Sequence, residues 1–452
     1  MKKFTKILLI GCLLVTVSCN NWLDVDPKSQ VKDKDLFASE MGFKEALSGV
    51  YSLMTKEGLY GKELTFGWLG VLGQEWTSVP YNYEDDQKYD FENAASEVRI
   101  DSVWTGLYNA IANANKLLKE LEGKENLFSG DNYSIIKGEV LALRAYLHFD
   151  LLRIFGASCA VGMERIAIPY VTEYAPTIFP QEKVGDFVGK VLKDLQDAAK
   201  CLENDPILTG RTVSEIDDNG YLMNRQVHLN YYAVKGLMAR VYLYKGDYAN
   251  AEVCAKEVIG SGCFEWVKQE NLTNESVADL TFSTEHLFAL NIVTLGNIVD
   301  KYLDGGNNSF ALEESRLSEY YGSSYDYRYL YLFKTGVGMS NTLRYLKKYD
   351  QLESVSWAQS YRNKLPLICL PEMYYILAEC RYHSSGDVLE PLNEVCRHRG
   401  VADLSEADLS AFETLLLAEY RKEVIGGGQL FFQYKRLNRS VVPGTDVDLA
   451  GE

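Results

Sequence analysis

The chain has 452 residues, 47% of them hydrophobic and 24% charged, with only ten prolines. That length and balance support a large buried core, read as globular and mainly helical, and exclude a mini-protein. Sixty-three acidic against 46 basic residues give a formal charge of −17, a sign that repels phosphate backbones and argues against nucleic acid as a partner.

In chain order, the first element is a secretion signal over residues 1–18. Lys2, Lys3 and Lys6 precede an apolar run from Ile7 to Val17, too short for a bilayer that needs about 20 helical residues. Ser18-Cys19 resembles a bacterial lipoprotein cleavage site, although Thr16 stands where leucine is usual. Acylation of Cys19 would hold a water-soluble body on a membrane without a spanning helix; the plainer alternative is an ordinary cleaved signal. Loss of residues 1–18 takes the charge from −17 to −20. Seven further cysteines, Cys159, Cys201, Cys254, Cys263, Cys369, Cys380 and Cys396, show no CxxC or metal-ligand spacing, and several lie on apolar faces of predicted helices as small hydrophobes.

Residues 58–96 are dense in Gly, Trp, Tyr and Asp without a helical stripe, which predicts an irregular excursion from the core. From 97 to 122, Trp104, Leu107, Ile111, Ala114, Leu118 and Leu121 recur at helical spacing. Ile136, Val140, Leu143, Leu147, Leu151 and Ile154 repeat the pattern until Gly156, giving an antiparallel pair. Phe187, Val191, Leu195, Ala198 and Leu202 make a third stripe, and 229–262 a helix, turn and helix. In that segment Ala239, Tyr242, Gly246, Tyr248 and Ala251 match the small, aromatic and glycine positions of a tetratricopeptide unit. Residues 263–365 form a second irregular block with a strand in TEHLFALNIV, and helices return over 370–399 and 406–425. Such pairs cannot bury their apolar faces alone and must stack. The predicted fold is therefore mainly all-α, a tetratricopeptide-like helical-pair scaffold with irregular, loop-rich insertions at about 58–96 and 263–365 and minor β structure.

RAYLHFDLLRIFG (144–156), KLPLICLPEMYYILAE (364–379) with LNEVCRHRG (392–400), EYRKEVIGGGQLFFQYKR (419–436) and the leader CNNWLDVDPKSQV together resemble the SusD/RagB family of Bacteroidetes lipoproteins, in order across residues 19–452. Two positions depart from the family pattern: Cys369 stands where a basic residue is common, and Gly427 where an acidic one is. The resemblance implies a non-enzymatic protein on the outer face of the outer membrane, anchored through Cys19. It would capture an oligosaccharide and deliver it to a SusC-like TonB-dependent transporter.

No nucleophile, dinucleotide or phosphate-loop motif occurs. His148, beside Arg144 and Tyr146 in a helix like the family's scaffold helix, reads as a packed or hydrogen-bonded histidine, not a base; His383 and His398 lack a second ligand at helical spacing, and Asp300, Asp304, Gly305 and Asn307 only faintly follow a calcium loop, so no metal or cofactor is expected. A sugar offers apolar C–H faces and a hydroxyl rim, and so calls for aromatic platforms beside short polar groups. Trp68, Trp76, Tyr81, Tyr83 and Tyr89 alternate with Gln74, Asn82, Asp85 and Asp86 in a segment no helix requires. Ligand contacts are expected at Trp68, Trp76, Tyr81, Tyr83, Asp85 and Asp86, with Tyr320 and Tyr321 as a second group. Tyr325, Tyr327, Tyr329 and Tyr331 would share one face of a strand, though their likeness to a family scaffold segment favours packing. Two rival readings stay open: a peptide-binding lipoprotein of the same uptake type, and a glycoside hydrolase whose carboxylates pair on folding.

Overall fold

The structure is a computed structural model that describes residues 34–445 except 215–216, 275–276, 307, 323–324, 337–341 and 352–360. The predicted signal 1–18 and Cys19 lie outside the described residues.

Helix α1 (Glu40–Met54) is followed by α2 (Ala94–Leu121), which begins before the predicted stripe because the Asn93 side chain accepts from the amides of Ala95 and Ser96. That cap satisfies two of the donors a helix start leaves open. α3 (Asn132–Phe155) is buried along nearly its whole length, and α4 (Val184–Cys201) packs its Phe187, Val191, Leu195 and Ala198 face against it. The two backbones approach closely at Gly138, where a Cβ would come within 2.7 Å of Leu202 Cγ and 3.1 Å of the Ala198 carbonyl. α5 (Tyr231–Lys245) and α6 (Tyr248–Ile259) form the predicted helix–turn–helix. Gly246 closes α5 at a φ of 79°, and the Asp247 side chain accepts from Asn250 to open α6. α7 (Leu295–Tyr302) and α8 (Glu314–Tyr321) stand inside the second irregular block. α9 (Leu370–His383), α10 (Leu389–His398), α11 (Phe412–Val424) and α12 (Leu430–Arg436) complete the chain. α6 packs on both α5 and α9, and α9 on α10, so successive antiparallel pairs stack as the tetratricopeptide-like reading requires. One hydrophobic cluster runs from Phe37 to Phe432, and a smaller one joins Tyr375, Leu392, Phe412, Leu416 and Tyr420.

Strand structure is minor: β1 (Ile166–Pro169), β2 (Gln181–Lys183), β3 (His286–Asn291), β4 (Leu312–Glu313), β5 (Phe333–Thr335), β6 (Leu343–Leu346) and β7 (Lys364–Cys369). They pair antiparallel as β1-β2, β3-β7 and β4-β6-β5. β3 falls in the predicted TEHLFALNIV strand. Residues Tyr327–Tyr331 form a helical turn in place of a strand, capped by Asp326, whose carboxylate accepts from the Arg328 amide at 2.9 Å. The block 58–96 is also less irregular than its composition suggests. It carries short helices at Trp68–Leu72 and Glu84–Gln87, and residues 59–61 and 63–76 are buried throughout.

Candidate functional site

Burial separates the aromatic residues of the 58–96 block into structural and surface groups. Trp68 (3% exposed) donates through Nε1 to Asp86 Oδ1 at 3.0 Å, and Tyr83 (1%) donates to Glu63 Oε1 at 2.8 Å. The Arg99 guanidinium of α2 pairs with the wholly buried Asp86, donates to the Asn82 carbonyl at 3.0 Å and lies 3.9 Å from the Tyr83 ring centroid. Trp68, Tyr83 and Asp86 are therefore corrected from ligand contacts to anchors: their polar atoms are spent on one another, and their rings are sealed in the core. Tyr321 is corrected likewise, since it is 5% exposed and its hydroxyl donates to the Lys422 carbonyl at 3.1 Å. Tyr81, 85% exposed, and Asp85 stay on the outer side of the turn formed by residues 81–87.

Two of the expected residues, Trp76 and Tyr320, come together in an open polar cleft of about 450 Å³. One wall carries Gln74, Trp76 and Thr77 with Gln87 and Lys88 from the end of the Glu84–Gln87 helix; the other carries Glu313, Arg316 and Tyr320; Thr445 and Gly444, which lies beside Gln74, complete the lining. Positions 313, 316 and 320 are three and four apart, so α8 and the residue before it present them on one face. The walls are joined by backbone pairing: the amides of Thr77 and Ser78 both donate to the Ala311 carbonyl at 3.0 Å, and the Glu313 amide donates to Thr77 Oγ1 at 2.7 Å. Within the first wall, Gln74 Nε2 donates to the Gln87 carbonyl and Gln87 Nε2 to the Trp76 carbonyl, each at 2.8 Å. This reciprocal amide clamp fixes the cleft edge, and Gln74 meets it at a φ of 52°. Tyr320 is half-buried, with the Arg421 guanidinium of α11 at 4.3 Å from its ring centroid. Arg421 is itself held by Tyr434 Oη at 2.6 Å, so the ring has a preorganised cationic backing.

Trp76 is only 2% exposed, and its Nε1 donates to the Phe66 carbonyl at 2.8 Å. It therefore lies beneath the cleft lining with its polar atom satisfied, and Tyr320 is the half-buried aromatic ring of the two. Behind the same wall, the Glu75 carboxyl is wholly buried. Oε2 accepts from the Gly426 amide at 2.7 Å, while Oε1 has no hydrogen-bond partner among the described residues. Burial raises its pKa to about 8 against the pull of Arg421 and Lys348. The cleft lining contains one carboxylate, Glu313, among the described residues, which is half of what glycoside hydrolysis by paired carboxyls needs.

The other residues singled out by sequence are structural. His148 is fully buried, with Nδ1 2.8 Å from the Arg144 carbonyl and Nε2 accepting from the Val171 amide at 2.9 Å; burial drives its pKa down to about 3. A neutral ring with the proton on Nδ1 satisfies both contacts. His398 stacks on the Trp266 ring with centroids 4.7 Å apart. Lys334 donates to Asp304 Oδ1 at 2.6 Å, putting an ammonium where the calcium-like stretch would need a metal, and Asn307 lies outside the described residues. Cys369 and Gly427, the two departures from the family pattern, line one small cavity of about 50 Å³ together with Lys348. Glu313, Arg316, Gln87 and Lys88 were not expected at a site. The 313/316/320 spacing was a legible signal, whereas the clamp depends on tertiary pairing.

Residues 21–243 match the SusD-like_3 family model, described as starch-binding and associating with the outer membrane. SusD-like protein P38 of Formosa agariphila is 24% identical over 269 residues, which are 58% of this chain; the match spans 47% of that relative's length. Among solved structures, a SusD superfamily protein from Bacteroides thetaiotaomicron aligns with a TM-score of 0.72 at 22% identity, covering 88% of this chain and 89% of that one. A SusD-like carbohydrate binding protein from Bacteroides vulgatus aligns with a TM-score of 0.69 at 16% identity, covering 88% and 83%. Among the described residues, no helix is long and apolar enough to cross a membrane.

Proposed function

We propose, from the premise that this chain is a SusD-like family protein, that it captures an oligosaccharide in the cleft between Gln74–Thr77 and α8 without altering it. Delivery to a SusC-like TonB-dependent transporter, from a lipid anchor at Cys19, completes the reading. The observation that carries it is the cleft itself. Tyr320 offers an aromatic face, backed by Arg421, beside Thr77, Gln87, Lys88, Glu313 and Arg316, a combination that suits both the apolar face and the hydroxyl rim of a pyranose. One platform with a few hydrogen bonds predicts modest affinity, between the millimolar and micromolar levels that correspond to about −4 and −8 kcal/mol.

Isothermal calorimetry of the protein against a panel of oligosaccharides tests this reading. At least one glycan is expected to bind, and Tyr320→Ala is expected to weaken it about tenfold, the loss of one stacking contact, with little change in thermal unfolding because the ring is half-buried. Equal binding by the variant removes Tyr320 from the site. A panel without a glycan ligand but with a peptide hit would transfer the cleft to the peptide-binding reading.

A further inference from the structure

The cleft beside α8 carries a charge opposite to that of the chain as a whole. The sequence has a formal charge of −17, yet the cleft is lined by two cations, Lys88 and Arg316, against one carboxylate, Glu313. The cations stand on opposite walls. Lys88 is exposed and has no ion-pair partner among the described residues. Arg316 reaches Glu319 on its own helix at 3.0 Å, but both side chains stand largely in water, at 45% and 64% exposure. A pair of that kind holds little free energy and exchanges readily for a ligand anion. The neighbouring Glu314 is engaged by Arg344 at 2.6 Å.

A third cation stands behind the cleft without a counter-charge. Arg421 is buried, and the oxygens it meets are uncharged: the Tyr434 hydroxyl at 2.6 Å and, at longer range, the carbonyls of Gln74 at 3.4 Å and Pro443 at 3.5 Å. The carboxylates of its own helix are taken, Glu419 by Arg328 and Lys422, and Glu423 by Arg328 and Arg399. Glu75, the buried acid that feels its field, is kept protonated at pH 7 by burial. A buried cation without a counter-ion is costly. The Arg421 guanidinium lies 4.3 Å from the Tyr320 ring centroid, so its field reaches across that ring into the cleft and favours negative charge there.

From this distribution we propose, resting on the glycan-binding reading of the same cleft, that the captured oligosaccharide is acidic: a carboxylate or sulfate ester is held between Lys88 and Arg316 while a sugar ring lies on Tyr320. The guanidinium fork of Arg316 pairs with two oxygens of either anion, and the Lys88 ammonium acts as a point charge from the facing wall. Glu313, an acceptor, is left for a sugar hydroxyl. A neutral saccharide leaves Lys88 and Arg421 without a counter-charge and is the weaker ligand.

Calorimetry at low salt with two matched pairs tests the charge: a galacturonate oligosaccharide against its methyl ester, and a sulfated galactan oligosaccharide against its desulfated form. At least one acidic member is expected to bind, about tenfold more tightly than its neutral counterpart, the worth of one charge-assisted hydrogen bond. Most of that advantage should vanish when salt rises to about 0.5 M. A preference confined to the first pair identifies a carboxylate, and one confined to the second a sulfate ester. Lys88→Met, at an exposed position, should erase the preference and keep the wild-type circular dichroism. Lys200→Met, which removes the same charge from a 74% exposed side chain of α4, should leave the preference in place. Equal affinity within both pairs, binding by neutral saccharides alone, a preference that survives Lys88→Met, or one lost equally in Lys200→Met would overturn the acidic assignment and leave the cleft a glycan site. No binding by any saccharide, acidic or neutral, would overturn the glycan reading with it.

Discussion

Trp76→Ala is expected to lower folding stability by about 3–5 kcal/mol, the cost of emptying a large aromatic site in a packed core. The ring is 2% exposed and sits beside Phe310, with centroids 5.9 Å apart. Its Nε1 holds the Phe66 carbonyl, so the substitution also orphans a buried acceptor. Gly70 shows how tightly the indole is held, since a Cβ there would lie 2.8 Å from Nε1. Urea denaturation should show a lower midpoint at unchanged slope. Glycan binding by this variant should fall as well, because the Trp76 carbonyl anchors the Gln87 clamp. The contrast with Tyr320→Ala is diagnostic: one variant loses the fold and the site together, the other the site alone. A Trp76→Ala protein of wild-type stability would contradict the placement of this ring in the core.

Glu75→Gln is expected to do the opposite and stabilise the protein in a pH-dependent way. Burial raises the folded-state pKa of Glu75 to about 8 from an ordinary 4.5. Between those values the folded chain keeps a proton that the unfolded chain has released, so wild-type stability falls as pH rises through that window and levels off above about 8. Glutamine keeps an oxygen for the Gly426 amide and carries no titrating proton. Its advantage should be nil below pH 4.5, on the order of 3 kcal/mol at pH 7, and largest above pH 8. Denaturation midpoints of both proteins from pH 4 to 9 measure it. A difference that does not change with pH would mean that the carboxyl is ionised and paired. A buried acid kept neutral directly behind the cleft wall is a stability cost beside the proposed binding site, and perturbed groups concentrate at functional sites.

Most of the scaffold was legible in the sequence because helix faces declare themselves by spacing. The stripes through Leu107 to Leu121 and Val140 to Leu151 are buried in α2 and α3, and Gly246 with Asp247 encodes the turn between α5 and α6 by local chemistry alone. The 58–96 block was legible only as a segment. Its composition announces amphipathic rings, but whether a ring faces water depends on where its polar atom is satisfied, and those partners are remote. Trp68 is sealed by Asp86, which is in turn held by Arg99 from the next helix. Trp76 is sealed by Phe66, ten residues earlier. The Tyr320 and Tyr321 pair shows the same effect at adjacent positions: a turn of about 100° along α8 takes one ring to the cleft and the other to the Lys422 carbonyl. The tyrosines of 327–331 alternate as a strand would, yet Asp326 caps them into a helical turn, a local hydrogen bond that overrides periodicity.

The most direct test of the central claim is a crystal structure of the protein soaked with the oligosaccharide that binds in calorimetry. The account predicts a sugar ring against Tyr320, with hydroxyls reaching Thr77, Gln87 or Arg316 and every glycosidic bond intact. A ligand seated elsewhere on the surface, or one found cleaved, would contradict it.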